Sequence, residues 1–571
     1  MVLRAMRILV FLGLAFGFGA GGAWASGIAV SNVFVTGQNA SSRTWDIQFD
    51  AAWDHSWFIA GAPAANANWD AAWVFAKFTV YSTATSSWSA WAHCTLSKTN
   101  ADHTAPSGAQ VKAGCSPSAA CGGADAGKGI FLYRAAAGTG SVDWQRARLR
   151  WLYGADGVGD NDRVRVKVFG IEMVYIPTAS FYIGDGSGNP AAHFQAASGG
   201  GAVQISSGWS AAVNASAAGG NDDDAQVQAP GAGLSLSGTG GIKYAGGSNL
   251  NAAFPVGYNA FYVMKYDVSQ RQYADFLNAL TRAQQAARVA ADISGSAPDA
   301  RYVMSGASLV VNRDGLAAPA SGNGTTAPVV FGCDLNQNGV LDEAADGGWV
   351  SANDISWMDQ AAYAAWAGLR PLTELEFEKA ARGPSTPVAD EYAWGDTGVY
   401  NVTGASADYA PGSSGTAAEA VANPAAGTGN AAYYTTMCYG GANNVCGPWR
   451  NGVFAASAAT KNRQETGGSY YGVMDLSGNL WKHTVTVGNA AGRAFTGTHG
   501  SGALSATGSA VQADWPGFSG GGVTAADGSG FRGGAWLSQA ASLRVSDRGF
   551  AAVASALRTY VYGARAAHTA P

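Results

Sequence analysis

From Gly27 to about Phe169 apolar and polar residues alternate with a period of two. Trp45, Ile47 and Phe49 are separated by polar neighbours, and Val164, Val166 and Val168 interleave with Arg163, Arg165 and Lys167. Successive side chains of a strand point to opposite faces, so this pattern predicts sheet with one buried and one wet face. Clusters of Gly, Asn and Asp between the runs supply the turns. The expectation is an all-β sandwich over residues 27–170. Its Trp53, Trp57, Trp69 and Trp73 read as core aromatics, and no site is assigned to them.

Beyond residue 172 the period changes. Stretches near 196–220 and 404–429 are rich in Gly, Ala and Ser, which predicts surface insertions with no core of their own. Ser269 with Gln272, and Thr373 with Glu376, have capping-box spacing and predict helices carrying Tyr273, Phe276 and Leu277 in one case and Leu375 and Phe377 in the other. A third helix is expected from Trp357 to Ala367. After Asn430 the chain reads as short strands and loops punctuated by Gly and Trp. The chain is thus multidomain, with an α+β domain over 172–571.

Composition sharpens this picture. Only 13% of the 571 residues are charged, about half the usual share, so Ser, Thr, Asn, Gly and Ala must cover the surface, as in many secreted β-rich proteins. A 47% apolar content is enough for two or three packed cores. The formal net charge of -5 and the lack of a basic run argue against nucleic acid as a partner. No later segment reaches the roughly 18–20 apolar residues of a membrane span. Arg4 and Arg7, the apolar run Ile8 to Ala20, and Ala23-Trp24-Ala25 predict a signal peptide over 1–25, cleaved before Ser26, hence a secreted or cell-surface protein. In an oxidising space Cys94, Cys115, Cys121, Cys333, Cys438 and Cys446 can pair. Cys115 with Cys121 and Cys438 with Cys446 are the local candidates, with free buried thiols as the alternative.

Several motifs occur in a fixed order. They begin with Met173-Val174-Tyr175-Ile176-Pro177 and Phe261 to Ser269, and continue through Ile355-Ser356-Trp357, Trp366-Ala367-Gly368 and Leu372 to Glu378. Trp394-Gly395-Asp396, Gly472 to Trp481 and Phe531-Arg532-Gly533-Gly534-Ala535-Trp536 complete the series. Together they resemble the sulfatase-modifying-factor family, whose formylglycine-generating enzyme fold is a relative of the C-type lectin fold. The resemblance implies two copper-binding cysteines soon after Arg532 to Trp536. Those positions hold Ser538 and either Leu543 or, counted back from Arg544-Val545, Ala540. A hydroxyl cannot replace a thiolate on Cu(I), so copper is not expected. The scattered histidines offer no iron site either.

Gly368 to Lys379, Gly492 to Gly497 and Gly563-Ala564-Arg565 look like a non-enzymatic branch of the same fold, the variable proteins of diversity-generating retroelements. Adenine-directed mutagenesis of their codons cannot reach Lys, Glu, Gln, Met or Trp. From Leu537 to Pro571 this chain has none of these except Gln539. The resemblance implies that Leu537, Ser538, Phe550, Val553, Ser555, Thr559, Tyr560 and Tyr562 form a ligand-binding surface, with Phe550, Tyr560 and Tyr562 as anchors and core packing as the alternative. Its ligand would be a protein or a glycan. An oxidoreductase acting on protein cysteine and a structural surface or secretion component are the competing classes.

Calcium is the expected cofactor. Asp334, Asn336, Asn338, the backbone of Val340 and Asp342 place oxygens at alternate positions with Gly339 sixth, although the twelfth position is Ala345 rather than Glu. A solvated Asx-rich turn is the alternative reading. The family resemblance adds a calcium site at Asn401 and the backbone of Val402. It adds another at Asn479, whose expected acidic partner is Lys482.

Overall fold

The computed structural model describes residues 27–61, 66–114, 127–186, 193–196, 202–207, 214–217, 225–229, 232–237, 250–321, 324–400, 411–412, 414–421, 427–433 and 446–571. The expected signal peptide, Cys115, Cys121, Cys438, Asn401, Val402 and most of the two Gly/Ala/Ser-rich insertions lie outside these residues.

The N-terminal region is sheet-rich. Its main strands are β1 (Ala29–Asn39), β2 (Thr44–Ile59), β3 (Asn68–Ser82), β4 (Ala109–Ala113), β5 (Ile130–Arg134), β6 (Gly138–Trp151) and β7 (Val164–Ile176). β2 pairs antiparallel with β6 from Trp45 opposite Trp151 to Phe58 opposite Gly138. Trp45, Ile47, Phe49, Trp53, Trp144, Leu149 and Trp151 of this layer meet Ala72, Val74, Ala76 and Phe78 of β3 and Ile130 and Leu132 of β5 in one core.

The remainder of the chain contributes β8 (Phe261–Met264), β9 (Arg370–Pro371), β10 (Trp481–Val485), β11 (Ser529–Arg532), β12 (Tyr562–Gly563) and β13 (Ala566–Thr569). Its helices include α1 (Gln270–Leu277), α2 (Arg282–Arg288), α3 (Trp357–Ala367) and α4 (Glu374–Arg382). The boxes at Ser269/Gln272 and Thr373/Glu376 are both formed and open α1 and α4. α2, which was not expected, opens with the same device at Thr281/Gln284. Among the described residues no helix is long and apolar enough to cross a membrane.

One sheet runs through both regions, in the order β1-β2-β3-β7-β8-β13-β9. The expected boundary at 170–172 falls inside β7, which pairs with β3 along Val164 to Val174 and with β8 through Met173 to Ile176. The expected wet face is also missing from β3. Ala71, Trp73 and Phe75 point away from the first core into a second, shared with Phe276, Tyr363 and Trp366 of α1 and α3. The unbroken apolar run from Ala71 to Ala76 is what burial on both faces requires.

Trp73 is the centre of that contact. It is fully buried, and its Nε1 donates to the Ala367 carbonyl at 2.8 Å. A Cβ at Gly114 or Gly129 would lie 2.4 Å from its ring, so both glycines make room for the indole. Nearby, Lys77 donates to the carbonyls of Trp366 and Gly502 at 2.7 Å each, and burial holds its pKa well below the ordinary lysine value. Trp53 is buried like Trp73, whereas Trp69 is half-buried and stacks on Tyr175 at 3.8 Å.

Candidate recognition surface

The segment after β11 rests on a buried ionic frame. Arg532 reaches Glu374 at 3.1 Å, Glu378 at 2.6 Å and the Val545 carbonyl at 2.6 Å. Arg548 grips both Glu374 oxygens at 2.7 and 2.9 Å, and Glu374 also accepts from Val487 N and Thr486 Oγ1. Glu374, Glu378, Arg532 and Arg548 are all fully buried. Burial pushes the Glu374 carboxyl up, but Arg548 and Arg532 outweigh it and hold the group below the usual carboxylate range. Gly533 turns the chain at φ 83°, where a Cβ would lie 2.1 Å from the Leu476 carbonyl oxygen.

Main-chain bonds then fix the path of the following residues. Trp536 N donates to Asn479 O at 2.8 Å, Phe531 N to Phe550 O at 2.9 Å, and Trp481 N to Val561 O at 2.9 Å. The Trp536 Nε1 donates to Tyr560 O at 3.0 Å. Arg558 holds both oxygens of buried Asp359, at 2.8 and 2.9 Å, and Arg288 lies 3.2 Å from the same carboxylate. Burial opposes ionisation of Asp359, and these two arginines overcome it and keep the pKa low.

Large apolar side chains stand out from this frame. Leu537 is 38% exposed, Phe550 46%, Leu557 67% and Tyr560 42%. The rings of Phe550 and Tyr560 are backed by Trp481 at 5.0 Å and Trp536 at 5.9 Å. Ser538, Val553, Ser555, Thr559 and Tyr562 are half-buried.

Two of the expected surface positions need correction. Tyr562 is not an outward anchor: it lies in β12, parallel to Trp481, and stacks on Phe531 at 4.2 Å. The Thr559 hydroxyl oxygen is buried rather than displayed. Leu557 was missed by sequence reading. Its only signal is that it is the one large apolar residue in the run Ala554-Ser555-Ala556-Leu557-Arg558, where no period marks a face.

A model of the sulfatase-modifying factor enzyme 1-like domain matches residues 232–570, more than half of the chain. The chain belongs to this family. No curated protein matches it. At the family's expected cysteine positions, the Ser538 hydroxyl accepts from Ala535 N at 2.9 Å, and Leu543 is buried with Tyr392, Trp394 and Trp449. Cys94 and Cys333 are free and buried, which removes them from the pairing candidates. Cys446 is disulfide-bonded, and its expected partner Cys438 lies outside the described residues.

The expected calcium ligands of this sulfatase-modifying factor domain have protein partners. Asp334 receives Arg301 at 3.0 and 2.6 Å, and Asp342 meets Arg271 at 2.5 Å. Asn336 Oδ1 accepts from Asn338 N, and Asn338 Oδ1 from Val340 N, as in successive Asx turns. Asn479 accepts from Trp449 N at 2.9 Å and donates to Ser351 Oγ at 2.9 Å. Lys482 donates to Gly478 O close by, and burial draws its pKa down to about 8 against the pull of Asp267. Among the described residues no group of three or more His, Cys, Asp or Glu is placed to hold a metal.

Proposed function

We propose that this chain is an exported, non-enzymatic ligand-binding protein whose recognition surface is the segment from Leu537 to Tyr560. One observation carries the reading. Of the thirteen exposed large hydrophobic side chains among the described residues, four fall between 537 and 560. Scattered exposed apolar residues need no explanation, but a group on one short, rigidly anchored segment marks a binding site. The segment's arginines are already paired, Arg544 with Asp390, Arg548 with Glu374 and Arg558 with Asp359, so aromatic and aliphatic contact is what its exposed side chains chiefly offer. Phe550 and Tyr560, rigid rings with few rotamers to lose, are its anchors. The absence of cysteines at Ser538, Ala540 and Leu543 supports binding over copper-dependent oxidation. Calcium at the Asp334 loop would have to displace Arg271 and Arg301 from its carboxylates, so that loop is not carried into this proposal.

The test is a screen of surface proteins and glycans with the full mature chain. Phe550→Ser and Tyr560→Ser should abolish binding to any hit while lowering stability by only about 1 kcal/mol each. Phe34→Ser removes a side chain 43% exposed on β1 and should leave binding intact. Equal loss in all three variants would sink the assignment of the surface.

Diversification of this surface is part of the same proposal. A near-copy of the codons for 537–565, differing at adenines and lying beside a reverse transcriptase gene, is the expected genomic context. Flanking DNA without such a repeat would leave a fixed binding surface.

A further inference from the structure

Beneath the recognition segment lies a group of oxygens with nothing to bind. Asn353 and Asp314 are 1% exposed and Asp354 is 7% exposed. Asn353 Nδ2 donates to Asn312 O at 2.9 Å, which fixes its amide head beside residues 312–314. Asp354 N donates to Thr559 O at 3.1 Å, which brings residue 559 against the same place. Yet Asn353 Oδ1, Asp354 Oδ2 and Thr559 Oγ1 are all buried without a hydrogen-bond partner. Asn353 and Asp354 are adjacent, Thr559 meets Asp354 through its carbonyl, and Asp314 acts on Asp354 electrostatically, so the orphan oxygens belong to one neighbourhood in which each carries an uncompensated desolvation cost.

Charge points the same way. Asp314 accepts from Leu316 N at 3.1 Å and Ser305 N at 2.8 Å, but no ion pair is found for it or for Asp354 among the described residues. The nearby guanidiniums are turned elsewhere. Arg313 bonds Glu419 and the Pro448 carbonyl, and Arg558 bonds Asp359 and the Ala287 carbonyl. Burial and the facing Asp314 push the Asp354 carboxyl up to about 8 against the pull of Arg558, and burial pushes Asp314 up to about 6. Arg558 eases the burden on Asp354 but is paired with Asp359, so neither aspartate has a direct cationic partner among the described residues.

We propose that Asp314, Asn353, Asp354 and Thr559 hold a hard divalent cation, calcium by preference. Two carboxylates balance its charge, an amide and a hydroxyl oxygen add neutral ligands, and main-chain carbonyls or water complete a shell that calcium tolerates in irregular form. The contrast with the Asp334 loop is direct: there, two arginines already occupy the carboxylates. The ion would bridge the body of the domain at 314 and 353–354 to the recognition segment at 559. The site itself rests on no part of the binding reading.

The experiment is calorimetric titration of calcium chloride into the chelator-treated full mature chain at neutral pH. One binding event is expected, weakened roughly tenfold or more by Asp354→Asn and by Thr559→Val. Asp334→Asn should leave it unchanged. Thr559→Val keeps the shape of the side chain and decides the matter if Asp354→Asn does not fold. No calcium binding by the wild type overturns the proposal, as does unchanged binding in both variants. Loss on Asp334→Asn alone would place the ion in the 334–342 loop and equally overturn it. A proton shared by the two aspartates is the physical alternative, and it predicts that Asp354→Asn melts higher than wild type in chelator with no response to calcium.

Discussion

Glu374→Ala is expected to destabilise the protein by about 3–5 kcal/mol, because it strands two buried guanidiniums rather than removing one contact. Arg532 and Arg548 both converge on this carboxylate, and Val487 N and Thr486 Oγ1 lose their acceptor with it. Glu374→Gln, which keeps the shape and an acceptor oxygen, should cost less. Urea unfolding at pH 7 measures both. Acid should expose the same frame. Glu374, Asp359 and Glu419 have folded pKa values held below their unfolded ones, so their stabilisation is full above the unfolded values. It is lost as pH falls through the depressed values, beginning near the unfolded range of about 4–4.5. The wild type should therefore weaken steeply below that range, and Glu374→Ala less steeply. A Glu374→Ala protein as stable as wild type at pH 7 would show that the arginines find other partners.

Trp73→Ala should cost about 3–5 kcal/mol and should also change the shape of the unfolding transition. The indole fills the space between β3 and the helical layer, with its Nε1 on Ala367 O, so its loss opens a cavity and breaks a bond at the same contact. The N-terminal strands and the family domain should then melt in separable steps, seen in calorimetry as a van't Hoff enthalpy below the calorimetric one. Gly129→Ala would press a methyl group into the same ring and should cost roughly 1–3 kcal/mol by overpacking. A single unshifted transition in Trp73→Ala would mean that the remaining contacts, the β7–β8 pairing and the Lys77 bonds among them, couple the two regions without the indole.

Local signals in the sequence translated well where local physics decides the outcome. Capping boxes at Ser269 and Thr373 mark α1 and α4 because the bonds they make span three residues. Thr281 and Gln284 carry the same three-residue signal for α2. What depends on partners far along the chain was not readable. β7 looks like the end of a module until β8 pairs with its second half. Tyr560 and Tyr562 sit two residues apart in similar company, and only the pairing of β12 with β10 turns the second onto Phe531. Likewise nothing in the separate segments 312–314, 353–354 and 559 announces that they meet.

The position of β13 bears on how the molecule comes into being. This strand lies inside the sheet, hydrogen-bonded to β8 on one side and β9 on the other. Ala566 contacts Met264 across 302 positions of sequence. During vectorial synthesis, β8 and β9 emerge long before the strand that joins them, and each leaves an open hydrogen-bonding edge until residues 566–569 arrive. Such edges invite pairing with other chains, and closure over so long a loop is slow. The protein therefore has an obligatory waiting period in which it is vulnerable to aggregation, and a premature stop within the last few residues of that strand would make the vulnerability permanent.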